Sequence, residues 1–390
     1  MVGEPVRIAI DARPAVDPRR TGVGQYVRHM LRHLPAADPL PEYVAWYLDA
    51  RGLLSRRRHF GGLAPNLSER ASRVPTRLFE PVSWRLGVPR LEWLVDFDAL
   101  LATNFLPPAT RSRGVVLVVH DLAFERFPAS APQIDRRWRR RFGRWLRRSA
   151  AVIVPSESAR ADLLGRHDLD ASHVHAIPHG AEPFPEVAST EIARVRATFG
   201  IGGRYVLSLG GIEPRKNLEA LVEAFRGVDT DAWLVIAGGP VSWIPEAERR
   251  LRGAVAALPE DVARRVVLTG YVSEADKRAL LAGAEALAYP SRYEGFGLPV
   301  LEAFAAGVPV LTSDVSSLPE VAGSAAVLVD PDDRSAIARE LERLLADPGL
   351  RDGLRRAGLE RVRRFTWEEA AGRTAEVLKA AAGAAQPGRR

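Results

Sequence analysis

The chain has 390 residues, more than one hydrophobic core ordinarily serves, and 46% of them are apolar, so two domains of ordinary size are expected. It has no cysteine, which excludes disulfides, thiolate nucleophiles and cysteine-ligated zinc or iron–sulfur centres together. The net charge of +7 sits in the first half, where 28 Arg face 19 Asp+Glu up to Pro185, and the whole chain keeps three lysines, Lys216, Lys277 and Lys379, beside 52 arginines.

Short apolar runs alternate with amphipathic stretches, the pattern of βα units on parallel sheets. A first strand is expected in VRIAID (6–11), followed by TGVGQYVRHMLRHL (21–34), where Gly22 and Gly24 lead into a helix with apolar spacing Tyr26, Val27, Met30, Leu31 and Leu34. Glycines there let backbone approach a ligand closely. The third glycine and later acidic residue of a dinucleotide fingerprint are missing. Further strands are expected at YVAWYL (43–48), ALLAT (99–103), GVVLVVHD (114–121), AAVIVPS (150–156) and HVHAIPHG (173–180). His120 closes one of these runs; a lone histidine is usually structural, but at a strand's carboxyl end it is also a site candidate.

Within this half, QIDRRWRRRFGRWLRRSA (133–150) sets eight arginines over a stripe of Ile134, Trp138, Phe142, Trp145 and Leu146. The cationic face suits an anionic membrane surface, and the same pattern equally describes a packed helix with solvated arginines. RGLLSRRRHF (51–60) would extend the patch.

After a boundary expected near 181–203, the series restarts with RYVLSLGG (204–211), AWLVIAGG (232–239), RVVLTGYV (265–272), EALAYPS (285–291), GVPVLTSD (307–314) and AAVLVD (325–330). The expected architecture is α/β, with two doubly wound domains over 1–190 and 191–366 and a terminal helix within 367–390. Ligands of such sheets bind beyond the strands' carboxyl ends, which favours a cleft between the domains.

Two stretches of the second half could carry chemistry. Gly210 and Gly211 end an apolar strand, and Arg215, Lys216 and Asn217 then precede an amphipathic helix, which suits a phosphate group. A capped helix with a solvated basic turn has the same pattern, and the scarcity of lysine favours the phosphate reading. In PSRYEGFGLPVLEAFAAGVPVLTSD (290–314), Glu294 and Glu302 flank Gly295, Phe296, Gly297 and Leu298, with Pro299 suited to a first helical turn. The two carboxylates could be an acid–base pair, as in a glycosidase. Glu302, one turn into the helix, could equally accept hydrogen bonds from a vicinal diol such as ribose.

With TGVGQYV, HDLAFERFP, VIVPSESARADL, AIPHGAE, LGGIEPRKNLEALVEAF, the long block around EGFGLPVLEA and RFTWEEAA in order, the chain resembles, over nearly its whole length, a known superfamily. It is that of the retaining GT-B glycosyltransferases, family 4, typified by glycogen synthase and phosphatidylinositol mannosyltransferase. Glu294 to Glu302 matches its E-x7-E element, and the motifs read most like those of bacterial mannosyl- and rhamnosyltransferases. The resemblance implies two facing Rossmann-like domains and transfer of a hexose from a nucleoside diphosphate sugar to a hydroxyl. Arg215 and Lys216 would neutralise the donor diphosphate, and Glu302 would hold the ribose. Glu294 and the amides of Phe296, Gly297 and Leu298 would hold sugar hydroxyls and the distal phosphate. Gly22 and Gly24 would line the diphosphate or acceptor, and His120 would sit by the reacting sugar. Gly211 departs from the pattern, because many relatives carry arginine there; Arg215 would substitute.

No cofactor and no metal is implied, since two cations already face the diphosphate. GDP-sugars are the first choice of donor and UDP-sugars the second, with a glycan or polyprenyl-linked acceptor and no nucleic-acid partner. The absence of a charged leader and of an apolar run of about 18 residues reads as a cytoplasmic enzyme, peripheral on the inner membrane face if the arginine-rich helix binds lipid. The rival readings are a GT-B nucleotide-sugar epimerase and a catalytically silent family member.

Overall fold

The computed structural model describes residues 5–16, 22–49, 59, 60, 62–75, 79, 82, 83 and 86–385. It divides into two compact units, one of Met1–Asp121, Asp135–Gly180 and Thr366–Arg390, the other of Leu122–Ile134 and Ala181–Phe365. The division falls at 180/181 instead of 190/191, and the segment 122–134 leaves the first unit for the second. Tyr293 explains that transfer: its hydroxyl accepts the Leu122 amide at 2.9 Å, and Arg126 lies 5.1 Å over its ring.

The first unit holds a seven-stranded sheet of β1 (Arg7–Asp11), β2 (Glu42–Leu48), β3 (Leu67–Ser72), β4 (Ala99–Ala102), β5 (Val115–Val118), β6 (Ala151–Val154) and β7 (Val174–Ala176). Their order is β3-β2-β1-β4-β5-β6-β7, with every pair parallel. ALLA, VVLV and AVIV are buried throughout because helices cover both faces. LSERAS, which became β3, carries no such run. It is an edge strand paired to β2 alone, so half of its residues face solvent and the apolar signal is lost.

The expected stripe Tyr26, Val27, Met30, Leu31 and Leu34 lies buried on the helix Gly22–Ala37. Against that helix packs the C-terminal helix Trp367–Ala385, whose Trp367 stacks on His29 at 4.1 Å and 6°. The arginine-rich helix is Arg136–Arg148, capped by Asp135, which accepts the Trp138 amide at 2.7 Å. Its Phe142 and Leu146 are fully buried and Trp138 packs on Phe105 and Phe142, so these three point into the unit; Trp145 is half-buried beside Arg148, Ile134 precedes the helix, and Arg136, Arg137, Arg140, Arg144, Arg147 and Arg148 are exposed. The patch expected to continue through 51–60 lies outside the described residues except for His59 and Phe60.

The second unit repeats the plan with β8 (Tyr205–Leu209), β9 (Trp233–Ala237), β10 (Val266–Gly270), β11 (Ala286–Tyr289), β12 (Val310–Ser313) and β13 (Val327–Val329), in the order β10-β9-β8-β11-β12-β13. Alternation along the strands feeds two cores. Tyr205, Leu207, Leu287, Tyr289 and Val310 join one, and Val206, Ala286, Ala288 and Leu311 join the other. In both sheets the direction of winding reverses beside the first strand, between β1 and β4 and between β8 and β11. Those reversals leave crevices beyond the carboxyl ends.

Because Trp367 is buried and anchors the last helix to His29, Trp367→Ala should cost about 3–5 kcal/mol, read as a lower midpoint in denaturant by circular dichroism. An unchanged midpoint would show that the helix is held by its other contacts, such as those of Ala371 and Leu378.

Candidate functional site

The reversal between β8 and β11 brings together residues 79 positions apart. Beyond β8 the chain turns at Gly210, whose φ of +133° suits glycine. Gly238 at the end of β9 is needed for a different reason: a Cβ there would lie 1.8 Å from the Gly210 carbonyl oxygen. The chain then forms a short 3-10 turn, Pro214–Lys216, and passes through Asn217 in the left-handed region at φ +59°. The Asn217 amide donates to the carbonyls of Pro290 at 3.1 Å and Pro331 at 2.6 Å, tying the loops after β11 and β13 to the one after β8. Asn217 is thus a brace between loops.

Lys216 is 8% exposed and Glu294 7%. The lysine Nζ donates to Glu294 Oε1 at 2.6 Å and to the Tyr289 hydroxyl, while Tyr289 donates to the same Oε1 at 2.8 Å. Arg215 reaches Glu294 Oε2 at 2.6 Å and the Tyr293 carbonyl at 3.2 Å, and its Nε bonds Glu213 at 2.9 Å. Burial alone would raise the Glu294 pKa, but Arg215 and then Lys216 outweigh it and hold the group down to about 2. Lys216 is shifted down by burial first and by Arg215 second, with Glu294 and Glu213 opposing. The carboxylate expected to hold sugar hydroxyls is therefore engaged on both oxygens by the two cations.

Glu294 is fixed from behind by residues that the sequence reading passed over. Its amide donates to Ser316 Oγ at 3.0 Å, and Ser317 Oγ donates to the Phe296 carbonyl at 2.7 Å. The Phe296 ring packs edge-on to Phe365 at 5.8 Å, which leaves only its backbone for a ligand. Gly297 caps the helix Leu298–Ala305 at φ +119°, where a Cβ would come within 2.9 Å of Leu318. At Gly211 an added Cβ would lie 3.2 Å from Val241 and 3.7 Å from Glu213 Oε1, so a cation there would meet the carboxylate that Arg215 satisfies here.

Glu302, on that helix, accepts from Lys277 Nζ at 2.7 Å, and Lys277 also pairs with Glu274 at 3.1 Å. Burial pushes the Glu302 carboxyl up, Lys277 pulls it down, and the Glu274 and Glu182 charges add to the rise. Lys277 was not singled out from the sequence, although its being one of three lysines was a visible signal.

In the first unit, His120 Nε2 lies 2.9 Å from the Thr103 carbonyl, and Thr103 Oγ1 donates to the Asp11 carbonyl at 2.6 Å. A carbonyl only accepts, so Nε2 carries the proton and Nδ1 is the basic nitrogen of the neutral ring. Burial lowers the His120 pKa, with Thr103 and Asp121 opposing. Tyr26 meets the ring edge-on at 5.1 Å, and His179 stands 5.8 Å away. Gly22 and Gly24 lie in the first turn of the helix that carries Tyr26, with Gly22 exposed and Gly24 buried.

A family model for glycosyl transferases group 1 matches residues 191–361, and one for Glycosyltransferase Family 4 matches 20–183. The O-antigen chain mannosyltransferase B of Escherichia coli is 36% identical over 381 residues, covering 92% of this chain and 96% of that protein. The chain belongs to the group 1 glycosyltransferases. It is an enzyme, and its two parallel-sheet Rossmann-like units are those of the GT-B fold. The α-D-kanosaminyltransferase of Streptomyces kanamyceticus is 28% identical over 90% of this chain and 88% of that one. Among solved structures, sucrose-phosphate synthase of Thermosynechococcus elongatus superposes with a TM-score of 0.74 at 23% identity, covering 96% of this glycosyltransferase and 98% of that chain. Anabaena HepE, in complex with UDP and glucose, gives 0.70 at 15% identity over 96% and 99%.

The Glu294 carboxyl titrates near 2 in the fold against an ordinary 4.5, so the native state binds fewer protons than the unfolded chain and the gain in stability is complete above the higher value. That gain is lost as pH falls from 4.5 toward 2. In thermal melts across about pH 2–5, the wild type should lose stability more steeply than Glu294→Gln. The variant should already melt lower at neutral pH, and parallel curves would show that Glu294 is not the group responsible.

Proposed function

We propose that this glycosyltransferase moves mannose, or a deoxyhexose, from a nucleoside diphosphate sugar to a hydroxyl of a glycan or polyprenyl-linked acceptor, with retention at the anomeric carbon and without a metal ion. The observation that carries this reading is the buried set of Lys216, Arg215, Glu294 and Tyr289 at the β8/β11 reversal. Its two cations suit a leaving diphosphate, on which negative charge grows as the glycosidic bond breaks, and preorganised charge in a dry site acts most strongly there. Glu294 holds both cations in place beforehand.

In the proposed step the acceptor oxygen attacks the anomeric carbon from the face the diphosphate leaves. The bond to the diphosphate breaks with its electron pair, and the acceptor proton passes to the departing phosphate oxygen. Glu302 receives the nucleotide ribose. Gly210, Gly211 and the amides from Gly295 to Leu298 face the phosphates and the sugar. Gly22 and Gly24 line the diphosphate or acceptor, and neutral His120 stands by the reacting sugar. The relative named O-antigen chain mannosyltransferase B supports mannose and hence a GDP-sugar, and the complex of HepE with UDP keeps UDP-sugars second.

Among the described residues no helix is long and apolar enough to cross a membrane. The exposed arginines of Arg136–Arg148 would bring the enzyme to an anionic inner-membrane surface chiefly by charge, since Phe142 and Leu146 are committed to the core and Trp138 and Trp145 are half-buried. Sedimentation with anionic vesicles should be abolished by about 0.5 M salt, where the screening length is a few ångström. Salt-insensitive binding, or none, would overturn this part of the reading.

The donor is tested by thermal shift with GDP-mannose, UDP-glucose and dTDP-rhamnose, where the GDP-sugar should raise the midpoint most. Lys216→Ala should lower transfer by about 10²–10³-fold or more, as removal of one transition-state donor does elsewhere, while circular dichroism stays native. Transfer near the wild-type rate would sink the assignment.

A further inference from the structure

A chain with 52 arginines has little compositional reason to keep a lysine, yet each of the three it keeps meets a carboxylate. Lys216 pairs with Glu294 at 2.6 Å, Lys277 with Glu302 at 2.7 Å and Lys379 with Asp38 at 2.9 Å. The two kinds of cation grip a carboxylate differently. A guanidinium is a planar fork that can take both oxygens side by side, whereas an ammonium is a compact charge that sits on one.

At Glu302 the difference has a consequence. Lys277 Nζ engages Oε1, and the same ammonium is steadied by Glu274 on its own helix at 3.1 Å. That helix, Glu274–Ala282, is tied at its start: Ser273 caps it by accepting the Asp276 amide at 3.1 Å, and Asp276 is bridged to Arg194 at 2.7 Å. Lys277 is therefore held by one helix while it orients a carboxylate on another. Without a cation, Glu302 would stand partly buried near Glu274 and Glu182, two like charges that disfavour its ionised form.

We infer that Lys277 is a positioning and specificity-determining residue for the nucleotide, holding Glu302 by one oxygen so that the other is presented to the ribose hydroxyls. The inference rests on the reading of Glu302 as the ribose-binding group. It gives a reason for a lysine where arginine is elsewhere the default cation of this chain: a guanidinium fork can close on both oxygens, as that of Arg13 does on Asp11.

The experiment is binding of GDP and of 2′,3′-dideoxy-GDP to the purified enzyme by calorimetry, with UDP and 2′,3′-dideoxy-UDP as a second pair. The readout is the ratio of dissociation constants within a pair, which a loss of general stability does not move. The wild type should favour the ribose form by about ten- to a hundred-fold, the range for hydrogen bonds to a charged group. Lys277→Met and Lys277→Arg should each reduce the ratio to below about three-fold while both variants still bind the dideoxy nucleotide as the wild type does. A wild-type ratio in either Lys277 variant, with the ratio lost in Glu302→Gln, would overturn the inference and leave the ribose reading standing. A wild-type ratio in Glu302→Gln, or no preference in the wild type itself, would instead remove that reading and this inference with it.

Discussion

Two cations held side by side in a largely dry pocket repel one another, and neither Arg215 nor Lys216 would stay there without an anion between them. Glu294 is that anion, bonded to Arg215 through Oε2 and to Lys216 through Oε1, with Tyr289 donating to the latter oxygen. The arrangement is costly to build, because three charges are desolvated together, and it holds only if each finds its partners. Much of the second unit serves that end. Gly238 lets β9 pass the Gly210 carbonyl, Asn217 ties three loops, and Ser316 and Ser317 fix the backbone around Glu294.

The same logic separates the two glutamates, which look alike in sequence. Glu294 has both oxygens engaged and its pKa held down to about 2, so it organises positive charge. Glu302 has Lys277 on one oxygen and its pKa pushed up by burial, with Glu274 and Glu182 adding to the rise. It is the better placed of the two to exchange a partner for a ligand hydroxyl. Neither geometry is that of an acid–base pair poised to shuttle a proton.

In the first unit, packing decides what the charged surface can do. The helix Arg136–Arg148 spends Phe142 and Leu146 on the core and half-buries Trp138 and Trp145, leaving an exposed face of arginines. His29 and Trp367 stack where the last helix meets the helix beginning at Gly22, which also carries Tyr26 to the ring of His120. The surroundings of His120 are thereby linked to residues near the end of the chain.

Most strands of both sheets, and the family, are legible along the chain, because buried parallel strands need uninterrupted apolar runs and strand ends need glycines wherever backbones approach. VVLV, AVIV, VLSLGG and EGFGLPVLEA are legible for that reason. β3 was not, since an edge strand buries one face and LSERAS therefore carries no run. Nor was the move of 122–134 to the second unit, which rests on contacts such as those of Leu122, Arg126 and Phe127 with Tyr293, 171 residues from Leu122. Which oxygen of which glutamate meets which cation is likewise a matter of loops converging from separate strands. Spacing along the chain names the carboxylates and the cations, but electrostatic pairing acts through space over a few ångström, and only the tertiary structure assigned Lys216 and Arg215 to Glu294 and Lys277 to Glu302.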